Sequence, residues 1–195
     1  ALRGRYPEAY PQGVPLTAMG VLDRDFDRIR ARFDFLGINH YNRMIVSTAT
    51  PGMPGGIPGQ PRGGEEGPKT DLGWETWPKG LHDIVMWAWK EYGLPIEVTE
   101  NGCSYADGPD AAGRVKDARR VDYHRQYLAE LARAIEEGAD VRGYHAWTLL
   151  DNFEWAEGFG QRFGLVRVDF KCVTRRVKDS GHWYARVAAA NALVD

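Results

Sequence analysis

The sequence contains very little cysteine: Cys103 and Cys172 are the only two among 195 residues. Two cysteines cannot build the disulfide framework of a small secreted protein, and no C-x-x-C pair offers the spacing of a metal site. We therefore expect free thiols in a reducing compartment, which favours a cytoplasmic protein without a metal centre. Cys103 is predicted to be a small packing residue and not a reactive thiol.

The sequence also lacks a long apolar run and a strong charge of either sign. No stretch approaches the roughly 20 apolar residues of a membrane-spanning helix. The 25 basic and 27 acidic residues nearly cancel, with a net charge of −2, so no strong field attracts nucleic acid or an anionic membrane. The first residues, A-L-R-G-R-Y-P, contain neither an initiating Met nor a hydrophobic signal core. They indicate a start within a longer protein.

Aromatic residues are abundant, at 12% of the sequence with seven Trp. Flat rings cover the apolar faces of pyranoses, but they fill protein cores equally well, so the count leaves both interpretations open. Glycine and proline are concentrated between positions 51 and 68, where they occupy twelve of eighteen residues. This composition excludes regular secondary structure and predicts a long surface loop or a linker.

Hydrophobic periodicity predicts helices that alternate with short strands. The predicted helices cover residues 23–33, 79–92, 119–137 and 180–193, and the predicted strands cover residues 35–41, 96–99 and 141–149. Elements that alternate in this way form βα units around a parallel sheet. The predicted fold class is therefore α/β, with a single domain. In the first helix, Phe26, Ile29 and Phe33 are expected to form the buried stripe.

Two of the predicted strands end in residues that can carry chemistry. Glu100 follows a β-branched run and precedes Asn101 and Gly102, where a βα loop begins. In a (β/α)₈ barrel this end of a strand faces the active site. A glutamate in an exposed loop would show the same sequence pattern. The last strand ends in W-T-L-L-D-N-F-E-W, residues 147–155. Its acidic and aromatic side chains either line a pocket or serve as core and helix-capping groups.

These segments resemble motifs of glycoside hydrolase family 1, a family of retaining β-glucosidases. The run I-E-V-T-E-N-G around Glu100 resembles the nucleophile motif, and residues 147–155 depart from the family signature W-S-L-L-D-N-F-E-W only at Thr148. The resemblance extends from L-R-G-R-Y-P near the start to the last helix. It implies that residues 1–195 are the C-terminal portion of a single (β/α)₈ TIM barrel, roughly strands six to eight with their helices. Residues 51–68 would be a loop within that portion.

The resemblance implies catalytic roles at the first two strands. Glu100 would be the nucleophile, attacking the anomeric carbon to form a covalent glycosyl-enzyme. Asn39 and Tyr41 match the family's N-x-Y at the end of the sixth strand. Tyr41 would donate a hydrogen bond that orients the nucleophile and keeps it ionised, and Asn39 would occupy a position in the sugar pocket.

The resemblance also implies a sugar-binding set at the last strand. Glu154 would bind the O4 and O6 hydroxyls of the terminal sugar, and Trp155 would contact O3. Trp147 would lie under the sugar ring. Phe163, in a segment similar to the family's G-Y-x-x-R-F-G-L, would border the pocket. The segments that continue the resemblance beyond it, V-D-F, T-R-R and K-D-S, are expected to serve packing.

One half of the family's site has no counterpart in this sequence. A retaining glycosidase needs a second carboxylate, the acid/base, about 5–5.5 Å from the nucleophile. In the family it lies in T-x-N-E-P at the fourth strand, and this sequence contains no Asn-Glu and no Glu-Pro dipeptide. The resemblance therefore implies a β-glucoside or oligosaccharide substrate, no cofactor, and the N-terminal half of the barrel as a separate or unseen partner.

Three hypotheses follow. The first is a retaining β-glycosidase that hydrolyses terminal β-D-glucosyl residues by double displacement, with an acid/base from outside this chain. The second is a catalytically inactive partial barrel that acts only as a binding or interaction module, since an open parallel sheet leaves apolar edges uncovered. The third, an inverting or non-glycosidic hydrolase, is disfavoured because Tyr41, Glu100 and Glu154 occur in the family's order.

Overall fold

A computed structural model of the protein describes residues 20–30, 32–43 and 67–195. The described helices are α1 (Asp23–Ile29), α2 (Pro78–Tyr92), α3 (Ala118–Glu136) and α4 (Asp179–Ala190), and the strands are β1 (Leu36–Asn39), β2 (Ile96–Asn101), β3 (Val141–Ala146), β4 (Val166–Val168) and β5 (Arg175–Val177). The segment L-R-G-R-Y-P and the predicted loop at 51–68, except Gly67 and Pro68, lie outside the described residues.

The first three strands form one parallel sheet in the order β1-β2-β3. This confirms the predicted α/β class and its parallel strands. In the β1–β2 ladder Leu36 pairs with Ile96, and Asn39 pairs with Glu100. The carboxyl ends of the strands therefore lie at the same edge of the sheet, which is where ligands bind in α/β folds.

Helices α2 and α3 cover one face of this sheet. Pro78 begins α2 at a position where the missing N–H costs nothing, and Gly93 ends it with a left-handed φ of 62°. The buried side of α2, including Leu81 and Val85, packs with the fully buried Ile96 and Val98 of β2. Each such aliphatic side chain contributes about 1.5–3 kcal/mol when it is fully buried. The core is thus centred on β2, the strand that carries Glu100.

The predicted buried stripe of the first helix is wrong in two of its three positions. Helix α1 ends at Ile29, four residues before Phe33. Ile29 is 51% exposed and Phe33 is 42% exposed, while Phe26 is half-buried. The amphipathic pattern is present, but the part of the chain that the structure describes does not cover these two side chains.

An antiparallel hairpin of β4 and β5 was not predicted. Val166 pairs with Val177, and Val168 pairs with Arg175. Its strands have three residues each, too few for a periodic signal. A parallel bridge between Leu150 and Val166 ties the hairpin to the segment after β3. Among the described helices, none is both long and apolar enough to cross a membrane.

Candidate active site

Tyr41 and Glu100 meet where β1 and β2 end. The backbone N–H of His40 donates to the carbonyl of Glu100 at 2.9 Å, which sets the two strand ends side by side. The Tyr41 hydroxyl then donates to Oε2 of Glu100 at 2.7 Å. Burial, followed by the hydrogen bond to Glu100, raises the pKa of the Tyr41 hydroxyl well above its usual range. Tyr41 therefore remains a hydrogen-bond donor to the carboxylate throughout the physiological pH range.

An aromatic wall surrounds Tyr41. Its ring lies 5.2 Å from that of Trp74 and 6.3 Å from that of Phe163, between ring centroids, and the contact with Phe163 is edge-on. Trp74 and Phe163 are 6.0 Å apart and complete the group. Sequence reasoning missed Trp74, which follows Gly73 in a loop 33 positions after Tyr41 along the chain. The only hint of Trp74 in the sequence was the high overall content of aromatic residues.

A bidentate ion pair fixes the loop that carries Trp74. Glu75 is almost completely buried and accepts hydrogen bonds from Nε and Nη2 of Arg43, at 2.7 and 3.0 Å. The Arg43 guanidinium also lies 3.6 Å from the ring centroid of Trp77. Arg43 stands two residues after Tyr41, so this pair joins the end of β1 to the Trp74 loop.

The side chain of Asn101 connects three elements behind Glu100. It is fully buried, and its Nδ2 donates to the carbonyl of His40 at 2.7 Å and to the hydroxyl of Tyr123 at 3.1 Å. Its Oδ1 accepts from the hydroxyl of Tyr144 at 2.6 Å. Tyr123 in turn donates to the carbonyl of Tyr41 at 3.4 Å. The backbone on both sides of the Tyr41–Glu100 contact is thereby held by hydrogen bonds that are buried or partly buried.

Two histidines lie next to this network, of which His124 is fully buried and His40 half-buried. Burial lowers the pKa of His40 to about 4 and, with the charge of Arg120, the pKa of His124 to about 3. His124 shares a hydrogen bond of 2.9 Å with the Tyr144 hydroxyl through Nδ1. Both rings are therefore neutral at pH 7 and serve the packing of the site.

Gly102 brings the end of β3 to the end of β2. A Cβ atom at this position would lie 1.9 Å from the carbonyl oxygen of Trp147, closer than any side chain allows. The backbone N–H of Trp147 also donates to the carbonyl of Asn101 at 2.9 Å. The glycine that marked the strand end in the sequence is thus required for the close approach of two backbones.

The remaining predicted site residues differ in how firmly they are held. Nε1 of Trp147 donates to Oε2 of Glu154 at 3.5 Å, and the charge of Glu154 contributes to the raised pKa of Tyr41. Glu154 therefore faces the same site as Glu100. Asn39 is exposed and accepts a hydrogen bond of 2.6 Å from Thr99. Trp155, at the start of a 3₁₀ turn (Trp155–Glu157), is 83% exposed.

The two cysteines have different environments. Cys103, predicted as a packing residue, is fully buried, and burial raises the pKa of its thiol to about 12. Cys172 is exposed. Within residues 20–30, 32–43 and 67–195, no group of three or more His, Cys, Asp or Glu side chains could hold a metal ion.

Comparison with known proteins gives one consistent family. The model of glycosyl hydrolase family 1 matches residues 1–193. Beta-glucosidase A of Thermotoga maritima is 39% identical over 194 residues, covering 99% of this chain and 43% of that protein. The bifunctional beta-D-glucosidase/beta-D-fucosidase of Bifidobacterium breve is 40% identical over 204 residues, covering 96% of this chain and 44% of that protein.

Solved structures agree with the sequence matches. The structure of the Thermotoga maritima β-glucosidase in complex with deoxynojirimycin matches with a TM-score of 0.88 at 36% identity, covering 99% of this chain and 43% of that chain. The chain thus spans less than half the length of the relatives it matches. With the family model matched along nearly its whole length, the resemblance noted in the sequence is confirmed, and the chain belongs to glycosyl hydrolase family 1.

Proposed function

We propose that this chain supplies the nucleophile and sugar-binding portion of a retaining β-glycosidase that acts on terminal β-D-glucosyl residues. The observation that carries the proposal is the 2.7 Å hydrogen bond from Tyr41 to Glu100, at the carboxyl ends of neighbouring parallel strands. A donor at this distance keeps a carboxylate ionised and fixes its orientation. It engages Oε2 and leaves Oε1 to attack the anomeric carbon, which is the first half of a double displacement.

The sugar-binding residues are proposed at the ends of β1 and β3. Glu154 would accept hydrogen bonds from the O4 and O6 hydroxyls, Trp155 would contact O3, and Trp147 would lie under the ring. Phe163 would border the pocket and Asn39 would lie at its margin. The exposure of Trp155 supports a role in ligand contact, because a large indole left open to water gains most from covering an apolar sugar face.

The second carboxylate is proposed to come from outside this chain. The chain would correspond to strands six to eight of the (β/α)₈ barrel, residues 51–68 would be a loop of that barrel, and the acid/base would lie on the N-terminal portion. That portion would belong to the same longer protein or to a separate chain. The two free cysteines favour a cytoplasmic enzyme.

A second candidate is an inactive partial barrel that acts as an interaction module. The large apolar side chains of Leu149, Phe153 and Trp155 are exposed, which favours a surface that binds another molecule. The same exposure is expected when the rest of a barrel is missing. A test that depends on Glu100 separates the two candidates.

The test is covalent trapping with 2,4-dinitrophenyl 2-deoxy-2-fluoro-β-D-glucoside. Dinitrophenolate leaves without protonation, so the attack of the nucleophile does not require the acid/base. The chain is incubated alone and together with the part of Thermotoga maritima beta-glucosidase A that lies outside the matched 43%. We expect a glycosyl adduct on the peptide that contains Glu100, located by mass spectrometry.

Two variants control this experiment. Glu100→Gln should give no adduct. Glu97→Gln, three positions earlier on the same strand and paired with His145 at 3.3 Å, should label like the unchanged chain. An adduct on another residue would contradict the assignment of Glu100. Proper folding without an adduct in either mixture would favour the interaction module.

A further inference from the structure

A buried ion pair lies inside the segment proposed to bind the sugar. Asp151 stands midway between Trp147 and Trp155, and its carboxylate is fully buried. Nζ of Lys178, also buried, lies 3.1 Å from Oδ1 of Asp151. Taking two charges out of water costs several kcal/mol per ion before their attraction is counted. The sequence motif gives no reason for this cost, because neither residue has a proposed contact with the sugar.

The carboxylate of Asp151 also binds backbone groups of the following segment. Oδ1 accepts from the N–H of Gly164 at 2.9 Å, and Oδ2 accepts from the N–H of Val168 at 3.3 Å. A Cβ atom on Gly164 would lie 2.2 Å from the backbone nitrogen of Asp151. The backbones at 151 and 164 are therefore in direct contact, and the ion pair lies at that contact.

A second buried cation binds the same segment through its backbone carbonyls. The guanidinium of Arg120 is fully buried and pairs with Asp117 at 2.9 Å. Asp117 is itself held by the backbone N–H and the hydroxyl of Ser180, at 2.9 and 2.6 Å. The remaining N–H groups of Arg120 donate to backbone carbonyls, those of Cys103, Tyr105, Arg162 and Phe163.

The two charged groups meet at one peptide unit. The carbonyl of Phe163 accepts from Arg120 at 3.3 Å, and the N–H of Gly164, in the same peptide, donates to Asp151. Both polar groups of this peptide are thus bound by buried side chains of opposite charge. The ring of Phe163 is 6.3 Å from that of Tyr41, the residue that donates to Glu100. The backbone of Phe163 is thus bound by charged side chains that lie outside the aromatic wall.

We propose that Asp151 and Lys178 are positioning residues, which fix the Phe163–Gly164 peptide and through it the aromatic wall against Tyr41 and Glu100. The catalytic part of this inference rests on the proposed function of Glu100. Lys178 compensates the charge of Asp151 at Oδ1, and Arg162, whose Nη1 lies 3.5 Å from Oδ2, adds a more distant and partly exposed positive charge. The carboxylate can therefore stay buried and bind the two N–H groups. Burial, and next the charge of Arg120, lowers the pKa of Lys178 to about 8 although Asp151 opposes the shift. The lysine is thus buried at a desolvation cost that its pairing with Asp151 offsets only in part.

The test compares Lys178→Met with two controls. Lys178→Arg keeps the positive charge, and Lys116→Met removes an exposed lysine that pairs with Asp110. Two readouts are taken: amide hydrogen exchange of residues 148–168 and 96–101, and the rate at which the fluoro-glucoside labels Glu100. We expect Lys178→Met to accelerate amide exchange in 148–168 about tenfold and to slow the labelling of Glu100 about tenfold. A change of this size corresponds to the loss of one hydrogen bond to a charged group. Exchange in 96–101 should be unchanged.

The controls separate positioning from stability. Lys178→Arg should restore most of both readouts, and Lys116→Met should match the unchanged chain. Should Lys178→Met fail to fold, the double variant Asp151→Asn/Lys178→Met removes both charges of the pair and is expected to fold. Arg162, the other cation near Asp151, is 19% exposed and still donates to the carbonyl of Val168. The double variant should still show faster exchange in 148–168, because the single oxygen of an amide can replace only one of the two carboxylate oxygens that accept from Gly164 and Val168.

Three results would overturn the proposal. The first is unchanged exchange in 148–168, in Lys178→Met if it folds and otherwise in the double variant. The second is a uniform loss of protection across the whole chain. The third is altered exchange with normal labelling, which would mean that the pair stabilises the fold without positioning the wall. Failure of the proposed function gives a different result, namely no labelling of the unchanged chain, and the exchange readout then still decides whether the pair fixes the peptide.

Discussion

The candidate site has two sides that differ in how they are held. The closed side consists of Tyr41, Trp74, Glu100, Asn101 and Phe163, which are joined by strand pairing, buried hydrogen bonds and ring contacts. The open side is the segment 149–159, in which Leu149 is 66% and Trp155 83% exposed. The chain therefore assembles the proposed nucleophile by itself, whereas the proposed sugar-recognition segment still presents apolar surface to water.

The difference has a physical cause in the topology. Each residue of the closed side lies on, or directly bonds to, a strand end or a loop that is bound by residues distant in sequence. The open side is a connection between β3 and β4. Its Phe159 ring lies 5.4 Å from that of Phe153 and 4.6 Å from that of Phe170, which follows β4. Apolar surface left in water costs about 25 cal/mol per Å². A ligand or the remainder of a barrel that covered this side would recover that free energy.

The largest expected effect contrasts an aromatic residue from each side. Phe163→Ala removes a ring that is only 3% exposed and should lower the free energy of unfolding by about 3–5 kcal/mol. Trp155→Ala removes a larger ring, but because this ring is exposed, the free energy of unfolding should change by no more than about 0.5 kcal/mol. Urea unfolding followed by circular dichroism measures both. Equal losses would show that the open side is already packed in solution.

The next prediction breaks the junction between the two sides. Gly102→Ala places a methyl group against the backbone of Trp147 and should cost about 3 kcal/mol, the upper end for an overpacked site. Gly108→Ala is the matched control, because a Cβ there meets nothing within 4 Å. A Gly102→Ala protein as stable as the control would mean that the ends of β2 and β3 separate easily.

Removal of one hydroxyl tests the closed side alone. Tyr41→Phe deletes the donor to Glu100 while keeping the ring contacts with Trp74 and Phe163. A hydrogen bond to a charged group contributes about 1.5–3 kcal/mol, so the rate of fluoro-glucoside labelling should fall roughly ten- to hundredfold. Tyr92→Phe, at the far end of α2, should label normally. Labelling of the Tyr41→Phe chain at the normal rate would show that the Tyr41 hydroxyl does not orient Glu100.

A further expected effect appears only in acid, at two histidines that lie next to the closed side. His40 and His124 have pKa values of about 4 and about 3 in the folded chain against 6.5 when exposed. The unfolded state therefore binds protons first, and stability should fall as the pH drops from about 6.5 to 4, by up to about 1.4 kcal/mol per pH unit for each histidine. His124→Asn should reduce this slope, while His182→Asn, at an exposed position, should not. Residues 147–165 contain no histidine, so amide exchange there should respond last.

The sequence was sufficient for the features that depend on local pattern. Strands β1, β2 and β3 were predicted to within a few residues, because β-branched runs end at Glu100-Asn101-Gly102 and at the 147–155 motif. The two short strands of the hairpin were not predicted, because three residues are too few to show a hydrophobic periodicity. Helix α1 was predicted too long because its apolar spacing continues to Phe33 after the helical backbone has ended.

The features that sequence reasoning could not provide depend on contacts between distant positions. Trp74 lines the site only because a loop folds back onto Tyr41, and Arg120 reaches Phe163 across 43 positions. Lys178, placed among the packing residues, is a buried charge that pairs with Asp151 inside the motif. The exposure of Trp155 depends on what covers the segment, and no pattern within these 195 residues encodes that.

The contrast between the two cysteines has a practical consequence. Cys172 lies in the turn between β4 and β5, where a thiol reagent meets it at once, while Cys103 is buried next to Gly102 with a thiol pKa of about 12. Alkylation at neutral pH should therefore proceed in two separate phases. The slow phase requires local opening of the core around Cys103, two residues after the end of β2. The rate of its modification therefore measures how often this part of the core opens.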